Sequence, residues 1–378
     1  MVIDQTALDV ARDRAPESEV LGHLHDDVTS ALTNAGMLRR WVAAEYGGEA
    51  ASVTSVLQTI EDAARADGAA GWCVMIANTT ALTSHRIRAD WADTIYNDPT
   101  ACTGGFGMPA GTGKLVDGGL EVTGQWAWGS GTDHCTWIGG GIRVVDQSGE
   151  STVTADGAFA PFVFFEPADV ELLDTWHVSG LKGTASTDYA VTKAFVPEGR
   201  WADLLSGSPV IDSPLGRFPF FGALGAGVAA CLIGLGERAI EEIIALSKKR
   251  STGSKKGLAE RATLQADLAK AVANVRQARS YLHSTTDAIW ERSESGAPVS
   301  DDDRVEIRLA ATAAAHRSVE AVDLCYHAAG SSAVYTTSPL QRVFRDAHVA
   351  ITHGMVAPRT MEPLGRYLFG LPTNTSQF

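Results

Sequence analysis

A histidine near the C-terminus is the residue of this chain best suited to acid–base chemistry. His353 lies in the segment 345–354, RDAHVAITHG, which has the pattern of a helix that ends at a glycine. A side chain at such a place is fixed by the scaffold and can still reach a pocket. Because an imidazole titrates near neutral pH, His353 could donate or accept a proton there.

A second segment with chemical potential is 126–134, WAWGSGTDH. Tryptophans two residues apart predict that the indoles of Trp126 and Trp128 share one face of a strand. The Gly-Ser-Gly that follows allows close backbone approach to a flat ligand and supplies hydrogen-bond donors, which suits an aromatic cofactor ring. A core tryptophan pair beside a β-turn explains the same pattern equally well, because buried aromatic residues are common.

Two further segments could bind an anion. The loop 180–188, GLKGTASTD, is polar and contains two glycines, so its backbone and hydroxyl donors could hold phosphate or pyrophosphate oxygens. A solvent-exposed loop would have a similar composition. The segment 248–256, KKRSTGSKK, is a basic patch in an acidic protein, and it fits either a solvated helix end or an anion site for a nucleotide cofactor.

Two other kinds of cofactor site have little support. Residues 225–230, GAGVAA, resemble part of a dinucleotide fingerprint, but no strand precedes them and Glu241 and Glu242 lie within the helical pattern that follows. The small residues predict close helix packing instead. His348 and His353 would point about 140° apart on a continuous helix, and no carboxylate cluster completes a metal site. We predict neither a nicotinamide site nor a metal.

The composition limits the partners and the compartment. The 378 residues, 45% of them apolar, can bury large cores in two or three subdomains, and the net charge of −14 argues against nucleic acid and anionic membranes. Five scattered cysteines without a CxxC pair predict reduced thiols. The N-terminus lacks the pattern of a signal peptide, and no run reaches the length of a membrane span. We expect a cytoplasmic protein that binds small molecules or proteins.

Periodicity divides the chain into three parts. Residues 1–98 carry apolar side chains at helical spacing. Residues 99–205 consist of short runs rich in Thr, Val, Phe and Trp separated by glycines at 112–114, 116–119 and 137–141, which predicts strands joined by hairpin turns. Residues 206–378 return to helical spacing, with long helices predicted over 258–290 and 305–329. The predicted order is a helical domain, a β domain and a helix bundle.

In this order of parts the chain resembles the acyl-CoA dehydrogenase superfamily over nearly its whole length. The shared landmarks are the loop 104–109, GGFGMP, the strand 126–131, the segment 174–188 and the segment 339–346, PLQRVFRD. The resemblance implies an α+β, mostly helical fold with an N-terminal helical domain, a central β-barrel or sandwich and a C-terminal four-helix bundle. It also implies a homotetramer built around the long C-terminal helices.

The resemblance implies a flavin site as well. The flavin ring would lie between the loop that carries Phe106 and Met108 and the strand that carries Trp128, Ser130 and Gly131. Further contacts with the cofactor are implied at Lys182, Thr184, Arg250, His327 and Gly330. Arg250 would contact the phosphate portion.

One departure from the dehydrogenase pattern separates two reaction classes. Dehydrogenases of this superfamily commonly carry a catalytic glutamate in a Glu-Gly-Thr triplet shortly after the Arg-Asp pair, whereas this chain has Thr352-His353-Gly354. A base on an earlier helix has no distinctive candidate, because Glu237 and Glu291 lie in ordinary helical contexts. A histidine here resembles the two-component, group D flavin-dependent monooxygenases, such as aromatic and indole hydroxylases, which pair it with a serine matching Ser130.

This branch implies hydroxylation of a small phenol- or indole-like substrate through a flavin C4a-hydroperoxide. Reduced flavin, FADH2 or FMNH2, would come from a separate NAD(P)H:flavin reductase, and molecular oxygen would be the co-substrate. His353 would act as acid or base, Ser130 would hydrogen-bond near flavin N5, and residues 72–80 would line part of the pocket. Three alternatives remain open: an acyl-CoA dehydrogenase-type flavoenzyme, an N-oxygenase of an amine or amino sugar, and a non-catalytic helical assembly protein.

Overall fold

The structure, a computed structural model, describes residues 4–205, 208–248 and 257–378. In these residues the strands are preceded by the helices α1 (Gln5–Leu21), α2 (Asp26–Asn34), α3 (Val53–Ala66), α4 (Gly68–Ala81) and α5 (Ala89–Tyr96). Asp67 separates α3 from α4 because its backbone is extended and its carboxylate accepts the Ala70 N–H over 3.2 Å as an N-cap.

Helix α4 is buried on nearly all its faces, and it delivers a tryptophan to the centre of the protein. It packs against α3, against the long helix α7 (Phe220–Ser247) and against the first strand. Its sequence GAAGWCVMIANTTA is rich in small and apolar residues, so neighbouring helices can approach it closely. Trp72 is therefore held by packing on several sides.

The central part is a single mixed sheet of seven strands in the order β5-β6-β2-β1-β3-β4-β7. Strands β1 and β3 run parallel, and the other neighbouring pairs are antiparallel. Among the described strands β5 and β7 end the order and do not pair with each other, so the β domain takes the form of one open sheet, and Ala202 of β7 also bridges Ile87. The strands are β1 (Thr103–Val116), β2 (Gly119–Trp126), β3 (Trp137–Val145), β4 (Phe162–Phe165), β5 (Glu171–Leu173), β6 (Asp188–Pro197) and β7 (Trp201–Ala202).

Glycines in the sheet are mostly not at turns, contrary to our reading of the sequence. Residues 112–114 lie within β1 and residues 139–141 lie within β3, whereas 116–119 forms the predicted hairpin turn. A Cβ on Gly140 would come within 2.6 Å of the Trp126 ring. The Trp126 Nε1–H also donates to Gly141 O over 2.8 Å. The glycines thus make room for a fully buried indole.

The C-terminal part contains the predicted bundle of four long helices. They are α7, α8 (Ala262–Ser295), α9 (Asp301–Ala329) and α10 (Pro339–Ala350), and the short helices α6 (Pro214–Arg217) and α11 (Met361–Leu368) flank them. Gly234 lets α7 approach α3, because a Cβ there would lie 2.2 Å from Glu61 O. Within the predicted stretch 225–230, a Cβ on Gly227 would lie 2.8 Å from Met75 Cγ of α4, so these small residues serve helix packing as predicted.

Helix α7 corrects one expectation from the sequence. By length and composition it could cross a membrane, although we had found no apolar run of that size. Other parts of the protein bury 83% of its most apolar window. Its apolar character is therefore accounted for by its place in the core, where it packs against α3, α4 and α9.

Candidate active site

His353 lies in a turn after α10, so the predicted glycine end of the helix is wrong. The helix ends at Ala350, with Ile351 as its C-cap in the right-handed helical region. The His353 N–H donates to Ala350 O over 3.1 Å, and the backbone of Gly354 stays outside the left-handed region. The His353 carbonyl accepts the N–H of Val356. This turn holds the half-buried imidazole in place.

A backbone hydrogen bond defines the tautomer of His353. The Met355 N–H donates to His353 Nδ1 over 3.3 Å. Since Nδ1 accepts, the neutral ring carries its proton on Nε2. Nε2 has no protein partner among the described residues. The ring therefore presents its Nε2–H as a donor, while the Nδ1 lone pair accepts the Met355 N–H.

A buried arginine lies on the other side of Met355. Arg308 of α9 donates from Nη2 to Met355 O over 2.8 Å, and its Nη1 lies 3.2 Å from Met355 Sδ. No carboxylate in the described residues pairs with it, and its buried Nε has no partner. Burial lowers the pKa of Arg308 to about 10. Burial and the Arg308 charge lower the pKa of His353 to about 4, so the imidazole is neutral at physiological pH.

Trp72 of α4 connects His353 to Ser130. The Trp72 and His353 rings meet edge to face, with centroids 5.6 Å apart. On its other side the Trp72 Nε1–H donates to Ser130 Oγ over 3.0 Å. The sequence placed the pocket wall in residues 72–80 without singling out this residue. The signal that could have identified Trp72 is its occurrence as a lone tryptophan in a helix of small residues.

Ser130 belongs to a chain of buried hydroxyl groups. Its Oγ lies 2.6 Å from Ser186 Oγ, which lies 2.6 Å from Thr184 Oγ1. Thr184 Oγ1 donates to Leu181 O over 2.8 Å. Because a hydroxyl has one proton, this carbonyl directs the chain: Ser186 donates to Thr184, and Ser130 donates to Ser186. Ser130 therefore keeps an acceptor lone pair and no free proton.

The loop 180–188 turns its hydroxyl groups inward, towards the Ser130 loop. Thr184 and Ser186 are buried, and the Thr184 carbonyl accepts the Gly131 N–H over 2.9 Å. Leu181 and Ala185 have left-handed backbone conformations, with φ of 52° and 45°, on either side of this turn. The hydroxyls of Thr184 and Ser186 are therefore engaged within the protein, and cofactor binding by this loop stays a prediction. These hydroxyls support Ser130.

The Arg-Asp landmark of α10 holds the same loop in place. Asp346 Oδ1 accepts the Leu181 N–H over 2.6 Å, and a Cβ on Gly180 would lie 2.3 Å from Arg345 O. Asp346 is buried, and burial together with the nearby Asp67 raises its pKa to about 7. The sequence marked this pair as a landmark without indicating a structural role for it.

The two tryptophans of the 126–134 segment do not share a face, contrary to the prediction. Trp126, the last residue of β2, is fully buried and stacks on Tyr189 with centroids 5.3 Å apart. Trp128 follows with a left-handed φ of 58° and is 61% exposed. Its partner is Phe106, whose ring centroid lies 5.6 Å away, and Met108 is exposed nearby on β1. Phe106, Met108 and Trp128 thus offer an accessible apolar surface next to Ser130.

The remaining predicted cofactor contacts are less closely grouped. Lys182 is half-buried at the start of the inward turn, and Arg250 lies outside the described residues. His327 and Gly330 are exposed at the end of α9, and in the described chain they share no hydrogen bond or ring contact with the Ser130, Trp72 and His353 cluster. Glu237, weighed as a dehydrogenase base, is hydrogen-bonded to Arg279 over 2.5 Å.

Comparisons with known proteins bear on the family and the fold of the chain. Residues 226–358 match the family described as "Acyl-CoA dehydrogenase, C-terminal domain". The chain is 28% identical to indole-3-acetate monooxygenase of Pseudomonas putida, over 97% of this chain and 93% of that protein. It is 29% identical to the flavin-dependent monooxygenase oxygenase subunit HsaA of Rhodococcus jostii strain RHA1, over 97% of each.

A solved structure extends the comparison to three dimensions. XiaF from Streptomyces sp., in complex with FADH2 and glycerol, has a TM-score of 0.89 at 23% identity, covering 98% of this chain and 94% of that one. The resemblance predicted from the sequence is thereby confirmed: the chain has the acyl-CoA dehydrogenase-like fold, and its relatives over nearly its whole length are flavin-dependent monooxygenases.

Proposed function

We propose that the protein is the oxygenase component of a two-component flavin-dependent monooxygenase that hydroxylates a small phenol- or indole-like molecule. The observation that carries the proposal is the cluster of Ser130, Trp72 and His353 beside the exposed surface of Phe106 and Trp128. The similarity to monooxygenases named for such reactions supports it. Reduced flavin, when bound, supplies an activated oxygen atom after reacting with molecular oxygen.

The hydrogen-bonding capacity of Ser130 fits a reduced flavin ring. Ser130 Oγ accepts from Trp72 and donates to Ser186, which leaves one lone pair for a ligand donor. Reduced flavin carries a proton on N5, whereas N5 of oxidised flavin is an acceptor. The site therefore matches the reduced form. The exposed Trp128 and the half-buried Phe106 supply apolar contact for the flat ring system.

His353 would serve this reaction as a neutral hydrogen-bond donor. Its Nδ1 is engaged by the Met355 N–H, and its Nε2–H has no protein partner in the described chain. The buried charge of Arg308 disfavours a second proton on the ring. Of the two roles open from the sequence, acid or base, this tautomer favours donation, so Nε2–H would hold an oxygen atom of the substrate.

The surroundings of the cluster support oxygen chemistry in a second way. Trp72 and Ser130 are buried, and in the described residues no carboxylate hydrogen-bonds to Trp72, Ser130 or His353. In this cluster His353, a neutral imidazole, stands in place of the anionic base that proton abstraction from an acyl thioester needs. With flavin covering the Trp128 surface, the buried Trp72 and Ser130 would help to keep water from the reacting atoms, which favours oxygen transfer over release of hydrogen peroxide.

The wider assignment follows from the same proposal. Reduced FAD or FMN would arrive from a separate NAD(P)H:flavin reductase, since the dinucleotide-like motif at 225–230 lies inside α7. We also propose a homotetramer and a cytoplasmic location. These follow from the resemblance and from the five scattered cysteines without a CxxC pair, respectively.

Oxygen uptake with reduced flavin tests the function directly. Purified protein is mixed with FAD or FMN, NADH and an unrelated flavin reductase, and a panel of phenols and indoles is screened for hydroxylated product. We expect product in this system and its loss in His353→Ala, while the matched control His348→Ala, an exposed histidine of α10 paired with Asp323, keeps activity. Tightly bound oxidised flavin that bleaches on addition of acyl-CoA would contradict the proposal and indicate a dehydrogenase.

A further inference from the structure

A second cluster of reactive side chains lies directly behind the Ser130 loop. Cys102 immediately precedes β1, and Cys135 lies two residues before β3, the parallel neighbour of β1. The Thr136 N–H donates to Cys102 O over 2.8 Å, which holds the two strand ends together. The sulfur atoms of Cys102 and Cys135 are 4.0 Å apart. A disulfide requires about 2.05 Å, so a modest side-chain movement would join them.

A histidine and a carboxylate accompany the two thiols. His134 Nδ1 lies 3.0 Å from Asp133 Oδ1, and the imidazole is nearly enclosed. Burial lowers the pKa of His134, but Asp133 and Cys102 outweigh burial and raise it to about 10. His134 is therefore a cation at neutral pH. A cationic imidazole beside a thiol stabilises the thiolate, which is the nucleophilic form of cysteine.

All five cysteines are buried and free, but their surroundings shift the pKa of their thiols in different directions. The Cys135 thiol and His134 lower the pKa of Cys102 against the effect of burial, whereas burial raises that of Cys73. Burial also raises the pKa of Cys231 and that of Cys325, and the hydrogen bond with Cys102 together with burial raises that of Cys135. Cys102 is thus the one thiol of the five that its surroundings activate.

We propose that Cys102 and Cys135 form a peroxide-oxidisable dithiol, a modification site beside the oxygenation site. The Cys102 thiolate attacks one oxygen of hydrogen peroxide, the O–O bond breaks, and the departing hydroxide takes a proton to leave as water. The Cys135 thiol then attacks the sulfenic sulfur of Cys102, an S–S bond forms, and a second water leaves. Two thiols lose two electrons and peroxide gains them.

The position of the dithiol gives the reaction a source of oxidant. A Cβ on Gly104 would lie 2.8 Å from Cys135 Sγ and 3.0 Å from Ser130 O, so the thiol is a close neighbour of Ser130. Under the proposed function, reduced flavin that reacts with oxygen without substrate releases hydrogen peroxide at Ser130. The dithiol would be among the first protein groups to meet it. This source rests on the proposed function, but the thiol chemistry does not.

Peptide mapping of the flavin-free wild-type protein tests the site. The reduced protein is treated with a few equivalents of hydrogen peroxide at pH 7, unfolded and alkylated, and its cysteine peptides are identified by mass. We expect a linked Cys102–Cys135 peptide, with Cys231 and Cys325 still alkylated. Because the thiolate fraction of an ordinary cysteine is only a few per cent at this pH, Cys102 should react on the order of tenfold faster than either.

Variants separate the two steps. Cys135→Ser should stop at a Cys102 sulfenic acid that dimedone traps, and Cys102→Ser should give no linked peptide and no adduct at Cys135. Cys231→Ser, a buried thiol of α7, is the matched control and should behave as wild type. Absence of the linked peptide from wild type, or equal oxidation of all five cysteines, would overturn the proposal. Because no flavin is present, either result leaves the oxygen-uptake test of function independent.

Discussion

The imidazole of His353 lies edge-on to the indole of Trp72, with 5.6 Å between the ring centroids. The same indole donates its N–H to Ser130. One side chain of α4 therefore touches both residues that the sequence singled out as catalytic. Any change at Trp72 is expected to affect flavin binding and substrate positioning together.

Replacing Trp72 with phenylalanine should weaken the binding of reduced flavin. Phenylalanine keeps an aromatic ring against His353 but removes the donor to Ser130, and a neutral hydrogen bond contributes about 0.5–1.5 kcal/mol. We expect the Kd for reduced flavin, measured by anaerobic titration, to rise by roughly two- to tenfold. Trp91→Phe is the matched control, because that indole N–H donates to Glu198 O outside the site. Equal effects of the two substitutions would argue against the role of Trp72.

Replacing Ser186 with alanine should change which form of flavin the site prefers. Without Ser186 the Ser130 proton loses its acceptor and can turn towards N5 of oxidised flavin. We expect the ratio of the Kd values for oxidised and reduced flavin to fall by about tenfold, the equivalent of one hydrogen bond. Ser318→Ala serves as control, since that buried serine donates to Ala314 O within α9. An unchanged ratio would show that the hydroxyl chain does not orient Ser130.

Glutamine at position 353 should distinguish hydrogen-bond donation from base catalysis. His353→Gln retains an N–H donor but no basic nitrogen, whereas His353→Ala removes both. If His353 acts as a donor, the glutamine variant keeps part of the hydroxylation rate, and the alanine variant loses on the order of 10²–10⁴-fold. Product formation per flavin oxidised is the measurement. Equal loss in both variants would favour the base.

The pH dependence should reflect the lowered pKa of His353. The folded value is about 4 and the ordinary value is 6.5, so the unfolded chain binds the extra proton first as pH falls. This histidine therefore costs stability progressively as pH falls from about 6.5 to 4, and nothing above that range. Arg308→Met removes the second cause of the shift. Proton NMR of the imidazole should show its pKa move upward, and an unchanged value would contradict the role of Arg308.

Asp346 should affect the pH dependence of stability in the direction opposite to that of His353. Its folded pKa is about 7 and the ordinary value is 3.8, so the folded state holds the proton more tightly and this residue costs stability as pH rises from about 4 to 7. Asp346→Asn keeps an oxygen for the Leu181 N–H without the charge. We expect it to be as stable as wild type or more stable at pH 8. Asp346→Ala should be less stable by about 1–3 kcal/mol in chemical denaturation.

The sequence predicted correctly those elements that depend on the spacing and length of local residue patterns. The helices over 258–290 and 305–329 and the turn at 116–119 were correct, because hydrophobic spacing and glycine at a hairpin are local signals. The glycines at 139–141 were mistaken for a turn, since glycine marks both turns and close approach. Here the approaching group is Trp126, which belongs to another strand.

Only part of the candidate site could be predicted from the sequence, because its other residues are brought together by the fold. His353 and Ser130 were marked by residue type and by the resemblance, but Arg308 and Met355 had no signal. An arginine within a helix normally indicates a solvated face, and only the folded chain shows that Arg308 is buried against the backbone of Met355. The inward turn of Ser186 likewise depends on the Asp346 contact with Leu181, 165 residues away along the chain.

Trp128 is held in a left-handed backbone conformation that costs a non-glycine residue about 1–2 kcal/mol. Its neighbour Gly129 donates to Thr187 O over 2.9 Å, which helps the fold maintain that conformation before any ligand arrives. The indole is thus pre-organised, and the entropy of ordering it is lost during folding instead of during binding. We therefore expect flavin exchange with the reductase to be limited by encounter between molecules, without a slow rearrangement of this loop.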